Sequence, residues 1–232
     1  MANTASSHLI QVKDVIKTYQ RGHEMVEALR GIQLEVEPGA FVIIMGPSGG
    51  GKSTLLHLLG GIDRPTSGTI SVNGVDLDQA SEDELTRFRR ENIGFIFQFY
   101  NLLPSINALE NAALPLLAKG VKRKAALNQA EILLEQVGLA DRIHHKPGEL
   151  SGGEQQRVAI ARAIAGSPAL ILADEPTGDL DSASADSVML LMRELNHRLG
   201  KTFVVATHNQ RLSQTGDRIL DLRSGLLSEM EC

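Results

Sequence analysis

The residues Gly46-Pro47-Ser48-Gly49-Gly50-Gly51-Lys52-Ser53 fit the pattern G-x-x-x-x-G-K-[ST]. That composition suits the wrapping of a phosphate chain. Several backbone N–H groups must converge on the anion at once, and glycines let the backbone turn sharply and come close. An apolar run, Phe41-Val42-Ile43-Ile44-Met45, precedes the loop, and an apolar helical segment, Ser53–Leu59, follows it. A loop that opens onto a helix N-terminus presents free N–H groups and the positive end of the helix dipole. In this reading Lys52 reaches the β- and γ-phosphates of a triphosphate, and the Ser53 hydroxyl sits on Mg²⁺.

A second segment supplies acids. Ala169-Leu170-Ile171-Leu172-Ala173-Asp174-Glu175 is an apolar strand ending in two carboxylates. At the carboxyl end of a parallel strand such groups face the ligand crevice. Asp174 is suited to hold Mg²⁺, usually through water. Glu175, one residue on and pointing differently, is suited to polarise an attacking water. A third segment, Leu150-Ser151-Gly152-Gly153-Glu154-Gln155-Gln156-Arg157, places Ser151 and Glu154 at capping-box spacing ahead of an amphipathic run. Two glycines behind the cap exceed what capping requires. They leave bare N–H groups beside a serine hydroxyl, a second anion cradle. Two such helix starts with one lysine-bearing loop suggest one triphosphate held from two sides.

These residues need a scaffold. Short β-like runs are expected at His8–Val15 and Gly31–Val36, with the polar segment Gln20–Glu27 between them. Further strands are expected at Phe41–Met45, Thr69–Val72, Ile93–Phe97, Ala169–Ala173, Thr202–Ala206 and Ile219–Leu222. Helices are expected at Ser53–Leu59, Glu82–Arg90, Ala108–Lys119, Lys122–Val137, Ala183–Leu199 and Asn209–Gln214. Apolar strands alternating with helices predict an α/β fold with a mostly parallel sheet covered on both faces. The helix-rich stretch 99–156 reads as an insertion within that rhythm. The 232 residues carry 42% hydrophobic and 22% charged side chains, an ordinary globular composition. A formal charge of −5 gives no chain-wide basic surface, so no nucleic-acid partner is expected. The single cysteine, Cys232, excludes an internal disulfide and a cysteine-based zinc site. Met1–His8 has neither a basic segment nor an apolar run, so no signal peptide is expected. No apolar stretch is long enough to span a bilayer.

Taken in order, the motifs resemble those of the ATP-binding cassette (ABC) ATPases over nearly the whole chain. Gly46–Ser53, with Thr54 beyond it, resembles Walker A, and Leu170–Glu175 resembles Walker B with its catalytic glutamate. Leu150–Gln155 resembles the LSGGQ signature, with Glu154 where the family more often has Gln. Gln98 stands where the Q-loop glutamine lies, Leu180-Asp181 resembles the D-loop, and His208 the switch histidine. Tyr19 stands where an aromatic residue stacks on adenine. The text Ser53–Gly68, Phe97–Pro104 and Ala108–Asn111 is closest to the lipoprotein-releasing and macrolide-exporting (LolD/MacB-like) branch. Gly50 replaces a common Ser, Asp179 a common Asn, and Asn209 follows His208 where Asp is usual. Asn209 is expected to slow hydrolysis modestly.

The resemblance implies a P-loop NTPase, a single ABC ATPase domain over 1–232. Its RecA-like core and N-terminal antiparallel β portion would occupy roughly 8–98 and 157–226, with an inserted helical subdomain over 99–156. It implies ATP and Mg²⁺, with Ser53, Gln98 and Asp174 at the metal, Glu175 as general base, and His208 at the γ-phosphate. It implies a head-to-tail homodimer in which each ATP lies between Gly46–Thr54 of one chain and Ser151, Gly152, Gly153 and Glu154 of the other, with Asp181 alongside. The residues alone do not show that the second cradle acts in trans. An integral membrane permease is the implied partner, placing the chain in the cytoplasm against the inner face of the cell membrane. The alternative is a soluble ABC ATPase serving a non-transport partner, and those relatives usually carry a coiled coil, a second cassette or zinc modules, none of which is seen. A GTPase would need an [NT]-K-x-D segment, which is absent. His144-His145 reads as a solvated loop, since no third ligand stands at sensible spacing. The segment Phe99–Leu117 reads partly as helical core and partly as a groove for the membrane partner.

Overall fold

Every residue of the strand Phe41–Met45 (β3) is buried, and its side chains alternate between two cores. Phe41, Ile43 and Met45 belong to one hydrophobic cluster, Val42 and Ile44 to the other. Successive strand residues point to opposite faces, so a strand covered on both sides reads as a continuous apolar run. The strands Leu170–Asp174 (β7) and Thr202–Thr207 (β8) divide in the same way, with Ile171, Ala173, Phe203 and Val205 on one side and Leu170, Leu172, Val204 and Ala206 on the other. The Phe41 and Phe203 rings stack 5.4 Å apart between β3 and β8.

The computed structural model describes residues 8–209 and 216–230. Around β3 lies a six-stranded sheet that also takes in Ile93–Phe97 (β6), Arg218–Arg223 (β9) and Leu226–Glu229 (β10), in the order β10-β9-β3-β8-β7-β6. All neighbours are parallel except the β9–β10 ribbon. A four-stranded antiparallel sheet packs against one face: Ile10–Arg21 (β1), Glu24–Val36 (β2), Ser67–Val72 (β4) and Val75–Asp76 (β5), ordered β2-β1-β4-β5. Between the sheets, the helix Lys52–Leu59 (α1) buries Leu55, Leu56, Leu58 and Leu59. The helix Glu82–Asn92 (α2) adds Leu85 and Phe88 to this core.

Four helices cover the opposite face: Ala108–Ala118 (α3), Arg123–Gln136 (α4), Gly152–Ala165 (α5) and Ser182–Leu199 (α6). Small residues at their contacts, Ala112 on α3, Ala130 on α4 and Ala161 on α5, are fully buried and allow close packing. Buried Asn111 braces the preceding loop. Its Oδ1 accepts from Leu103 N at 2.8 Å, and its Nδ2 donates to Leu103 O, Ile106 O and Asn107 O. The α/β architecture, mostly parallel sheet, antiparallel N-terminal sheet and helical portion match the sequence expectation.

Several strands depart from it, the short β5 among them. β1 and β2 run on through the polar segment Gln20–Glu27 and pair continuously to Arg21↔Glu24, turning at Gly22 with φ 64°. This outer half of the hairpin is largely exposed, and apart from Tyr19, Met25 and Val26 its side chains are mostly polar while its backbone groups still pair, so no buried apolar period marks it. β10 was not expected either. It forms because Ser224 and Gly225, at φ 50° and 78°, make a tight turn that folds the chain back on β9. The expected helix Asn209–Gln214 lies almost wholly outside the described residues, as do residues 1–7 and Cys232. Among the described residues no helix is long and apolar enough to cross a membrane.

Candidate nucleotide site

The sheet order decides where the site forms. β3, β8, β7 and β6 are consecutive and parallel, with Met45 beside Thr207, Ala206 beside Asp174, and Asp174 beside Phe97. The residues following their carboxyl ends are therefore brought together: the Gly46–Ser53 loop after β3, His208 after β8, Glu175 after β7 and Gln98 after β6.

The loop is wedged against backbone. A Cβ on Gly46 would stand 2.2 Å from Leu222 O, and one on Gly51 2.6 Å from Ala28 O. Gly51, at φ 104°, starts α1 with no side-chain cap. The first-turn N–H groups of a helix have no intrahelical acceptor, so this start is open to an anion, and Ser53 and Thr54 lie in that turn. The Lys52 side chain, only 6% exposed, donates from Nζ to Gly46 O at 2.8 Å and Pro47 O at 3.2 Å, and lies 3.3 Å from Glu175 Oε1.

Glu175 adopts φ 46° after its N–H has bonded Ala206 O at 2.9 Å. A left-handed residue at a strand end re-aims the chain, which is how two adjacent acids come to serve different partners. Glu175 Oε2 accepts from His208 N at 3.2 Å and lies 2.9 Å from His208 Nδ1. A hydrogen bond at that contact requires the proton on Nδ1. The Glu175 carboxylate thus bridges Lys52 and His208 at the edge of a cleft of about 510 Å³ that Thr177, Gly178, Thr207 and Asn209 also line. Asp174 differs: its Oδ1 is buried without a hydrogen-bond partner among the described residues. A buried carboxylate oxygen left bare is costly, and it is suited to a cation. Gln98 donates to Asp179 Oδ1 at 3.3 Å and packs on Gly178, where a Cβ would come within 2.9 Å of its Nε2.

The second helix start is capped from within. Ser151 Oγ accepts from Glu154 N at 3.3 Å while Glu154 Oε2 accepts from Ser151 N at 2.8 Å. Those Ser151 donors, with Arg142 beyond, hold the Glu154 carboxyl below the usual glutamate range. A Cβ on Gly152 would meet Tyr100 Oη at 2.8 Å, but one on Gly153 would find only ordinary contact, with Ser184 at 3.6 Å. The packing of this chain therefore does not require glycine at 153. Asp181 caps α6, accepting from Ala183 N and Ser184 N at 3.0 Å each and from Ser184 Oγ at 2.6 Å. The Ser184 hydroxyl is the first cause of its lowered pKa. Tyr19 lies on the outer half of β1, 37% exposed. The His144–His145 loop serves the fold: Ile143 O and His145 O accept the Leu109 and Ala108 N–H groups that begin α3.

One residue escaped the sequence reading. Arg162 on α5 donates to Tyr100 O at 2.7 Å and Asn101 O at 2.5 Å, and these two residues hold left-handed φ of 56° and 49° just past Gln98. Burial pushes the Arg162 pKa down. A charge set among Ala161, Ala163 and Ile164 was the available signal.

A family model described as ABC transporter matches residues 29–178. An uncharacterised ABC transporter ATP-binding protein of Thermotoga maritima is 50% identical, over 96% of this chain and 95% of its own. The lipoprotein-releasing system ATP-binding protein LolD of Syntrophus aciditrophicus is 48% identical, over 94% and 97%. The macrolide export ATP-binding/permease protein MacB of Bdellovibrio bacteriovorus is 48% identical over 96% of this chain, which spans 34% of that longer protein. Among solved structures, the dimeric cassette MJ0796 in a post-hydrolysis state bound to ADP and Pi superposes with a TM-score of 0.86 at 42% identity, covering 96% of this chain and 99% of that one.

Proposed function

The chain belongs to the ABC transporter family, and from that premise we propose that it is the ATP-hydrolysing subunit of an exporter. It closes on a second copy of itself around ATP, reopens after hydrolysis, and so drives a separate membrane permease. Relatives named as lipoprotein-releasing and macrolide-export proteins support the export reading, and the dimeric cassette bound to ADP and Pi supports the dimer and the hydrolysis. The observation that carries the mechanism is the Glu175 carboxylate, bridging Lys52 and His208 beside the phosphate loop.

In this reading the Gly46–Thr54 backbone cradles the phosphates and Lys52 neutralises the β- and γ-oxygens. Binding draws Lys52 from Glu175 toward the anion and frees the carboxylate to take a proton from an attacking water. His208, positioned by Glu175 through Nδ1, donates from Nε2 to the γ-phosphate when both ring nitrogens carry protons. The buried, unpartnered Asp174 oxygen, Ser53 and Gln98 fit a Mg²⁺ site. When bound, that ion neutralises charge developing on the phosphoryl oxygens. Ser151–Gly153 of the second copy close the nucleotide from the far side, and the lack of a Cβ at Gly153, which packing within this chain does not require, suits an anion approaching the backbone. Residues 99–156 form the helical unit bearing this cradle. Exposed Phe99 and Leu103, at 71% and 48%, flank in sequence Asn101, which lines a groove of about 220 Å³ along β6 together with Phe97, Pro115 and Arg162, and this region receives the permease on the inner face of the membrane.

Replacing Glu175 by Gln tests the base. Hydrolysis is expected to fall by about 10²–10⁴-fold while ATP binding persists and an ATP-bound dimer accumulates in size-exclusion chromatography. Normal turnover in that variant removes Glu175 from the role.

A further inference from the structure

Two residues before Tyr19, the Lys17 ammonium lies 4.8 Å from the centre of the Tyr19 ring. Lys17 is held there by Asp63 Oδ1 at 2.7 Å and Arg64 O at 2.8 Å, and its side chain is only 12% exposed. The other oxygen of the same carboxylate, Asp63 Oδ2, accepts the Tyr19 hydroxyl at 2.8 Å. One carboxylate thus fixes both a cation and the aromatic ring it faces. Burial raises the Asp63 carboxyl, but hydrogen bonds from Lys17 and Tyr19 outweigh it and hold it below the ordinary aspartate range. Across the hairpin, Val26, 43% exposed, pairs directly with Tyr19, and directly paired residues share one face of the sheet.

We propose that Lys17 is a positioning residue for the nucleobase: its ammonium, anchored on Asp63, backs one face of Tyr19 and fixes the ring so that the exposed face receives adenine. This rests on the reading of Tyr19 as the base platform. Asp63 follows α1 directly, and its N–H reaches back to His57 O at 3.3 Å. The Tyr19 hydroxyl also meets the Thr54 side chain, which lies in the first turn of the same helix, directly after the phosphate loop. The base platform and the phosphate cradle are therefore tied to one short rigid element. A partly desolvated cation over an aromatic ring is worth more than an exposed one, and removing it frees the ring to rotate away.

The discriminating ligand is inorganic tripolyphosphate, which presents the phosphates without the base. With Lys17→Met, the KM for ATP is expected to rise about three- to tenfold, with kcat at saturating ATP within about twofold and the inhibition constant of tripolyphosphate unchanged. Lys17→Arg is expected to keep most of the ATP affinity. Asp63→Asn, which keeps an acceptor for Lys17 but replaces the acceptor of the Tyr19 hydroxyl with an amide donor and removes the charge, is expected to shift KM in the same direction, and it serves as the readout if Lys17→Met does not fold. An unchanged KM in both variants overturns the proposal. So does equal weakening of ATP and tripolyphosphate, which marks a purely structural tie between β1 and α1. Tyr19→Ala separates the premise from the inference. If it weakens ATP but not tripolyphosphate while Lys17→Met does nothing, the platform stands and the anchor falls. If Tyr19→Ala leaves ATP affinity intact, both fall.

Discussion

The helix starts at Gly51 and at Ser151 are built from similar materials, yet one is open and the other closed on itself. α1 begins on a left-handed glycine with no side-chain cap, beside a buried lysine. α5 begins on Ser151, whose hydroxyl and N–H are both engaged by Glu154. Glycine at 46 and 51 is demanded by the backbone of this chain, whereas glycine at 153 is not. The first start is pre-organised within one protomer. At the second, the phosphate contact proposed in trans would fall on a Ser151 hydroxyl that already accepts from Glu154 N, which suits a contact that comes and goes with each cycle.

Lys52→Ala cuts at the open start and carries the largest expected effect. It removes charge-assisted hydrogen bonds worth about 1.5–3 kcal/mol each, so ATP affinity measured by titration calorimetry falls by roughly 10²-fold or more. Affinity within threefold of the wild type would show that the loop is no phosphate cradle. Ser151→Arg cuts at the closed start. A bulky charge beside the bare Gly153 backbone is expected to abolish ATP-driven dimerisation in light scattering while binding to the monomer stays within about twofold. Dimerisation at wild-type levels would show that the second start takes no part in trans. Glu154→Gln is the smallest change, because glutamine also completes a capping box. The depressed Glu154 pKa makes the wild-type cap fully effective above the ordinary glutamate value, about 4.3, and weaker as pH falls through the depressed value. The Tm advantage of wild type over the variant is expected to be about one degree near neutrality and to vanish in acid. A difference independent of pH would show that the carboxylate charge plays no part in the cap.

Much of the site was legible before folding because its parts are local. Glycine spacing, a lysine one residue past a loop, acids closing an apolar run and a serine three residues before a glutamate are constraints on a few consecutive backbone units. The Phe41–Met45 run announced a strand covered on both faces for the same reason. The outer halves of β1 and β2 were illegible, since backbone pairing there proceeds beneath exposed side chains with no buried apolar period. Arg162, Lys17 and Asp63 were illegible as well. Each acts on a partner 44 to 62 residues away in the chain, and nothing in their own neighbourhoods names that partner.

By itself, then, the amino-acid sequence determined the kind of chemistry proposed, a nucleoside triphosphate held at helix starts, because N–H geometry at a loop is settled by neighbouring residues. The tertiary structure alone decided that Glu175 faces Lys52 and His208 while Asp174 Oδ1 is buried with no hydrogen-bond partner among the described residues, and that one carboxylate anchors both Lys17 and Tyr19. Those arrangements depend on the order in which parallel strands lie side by side and on which ends of distant segments that order brings within 3 to 4 Å.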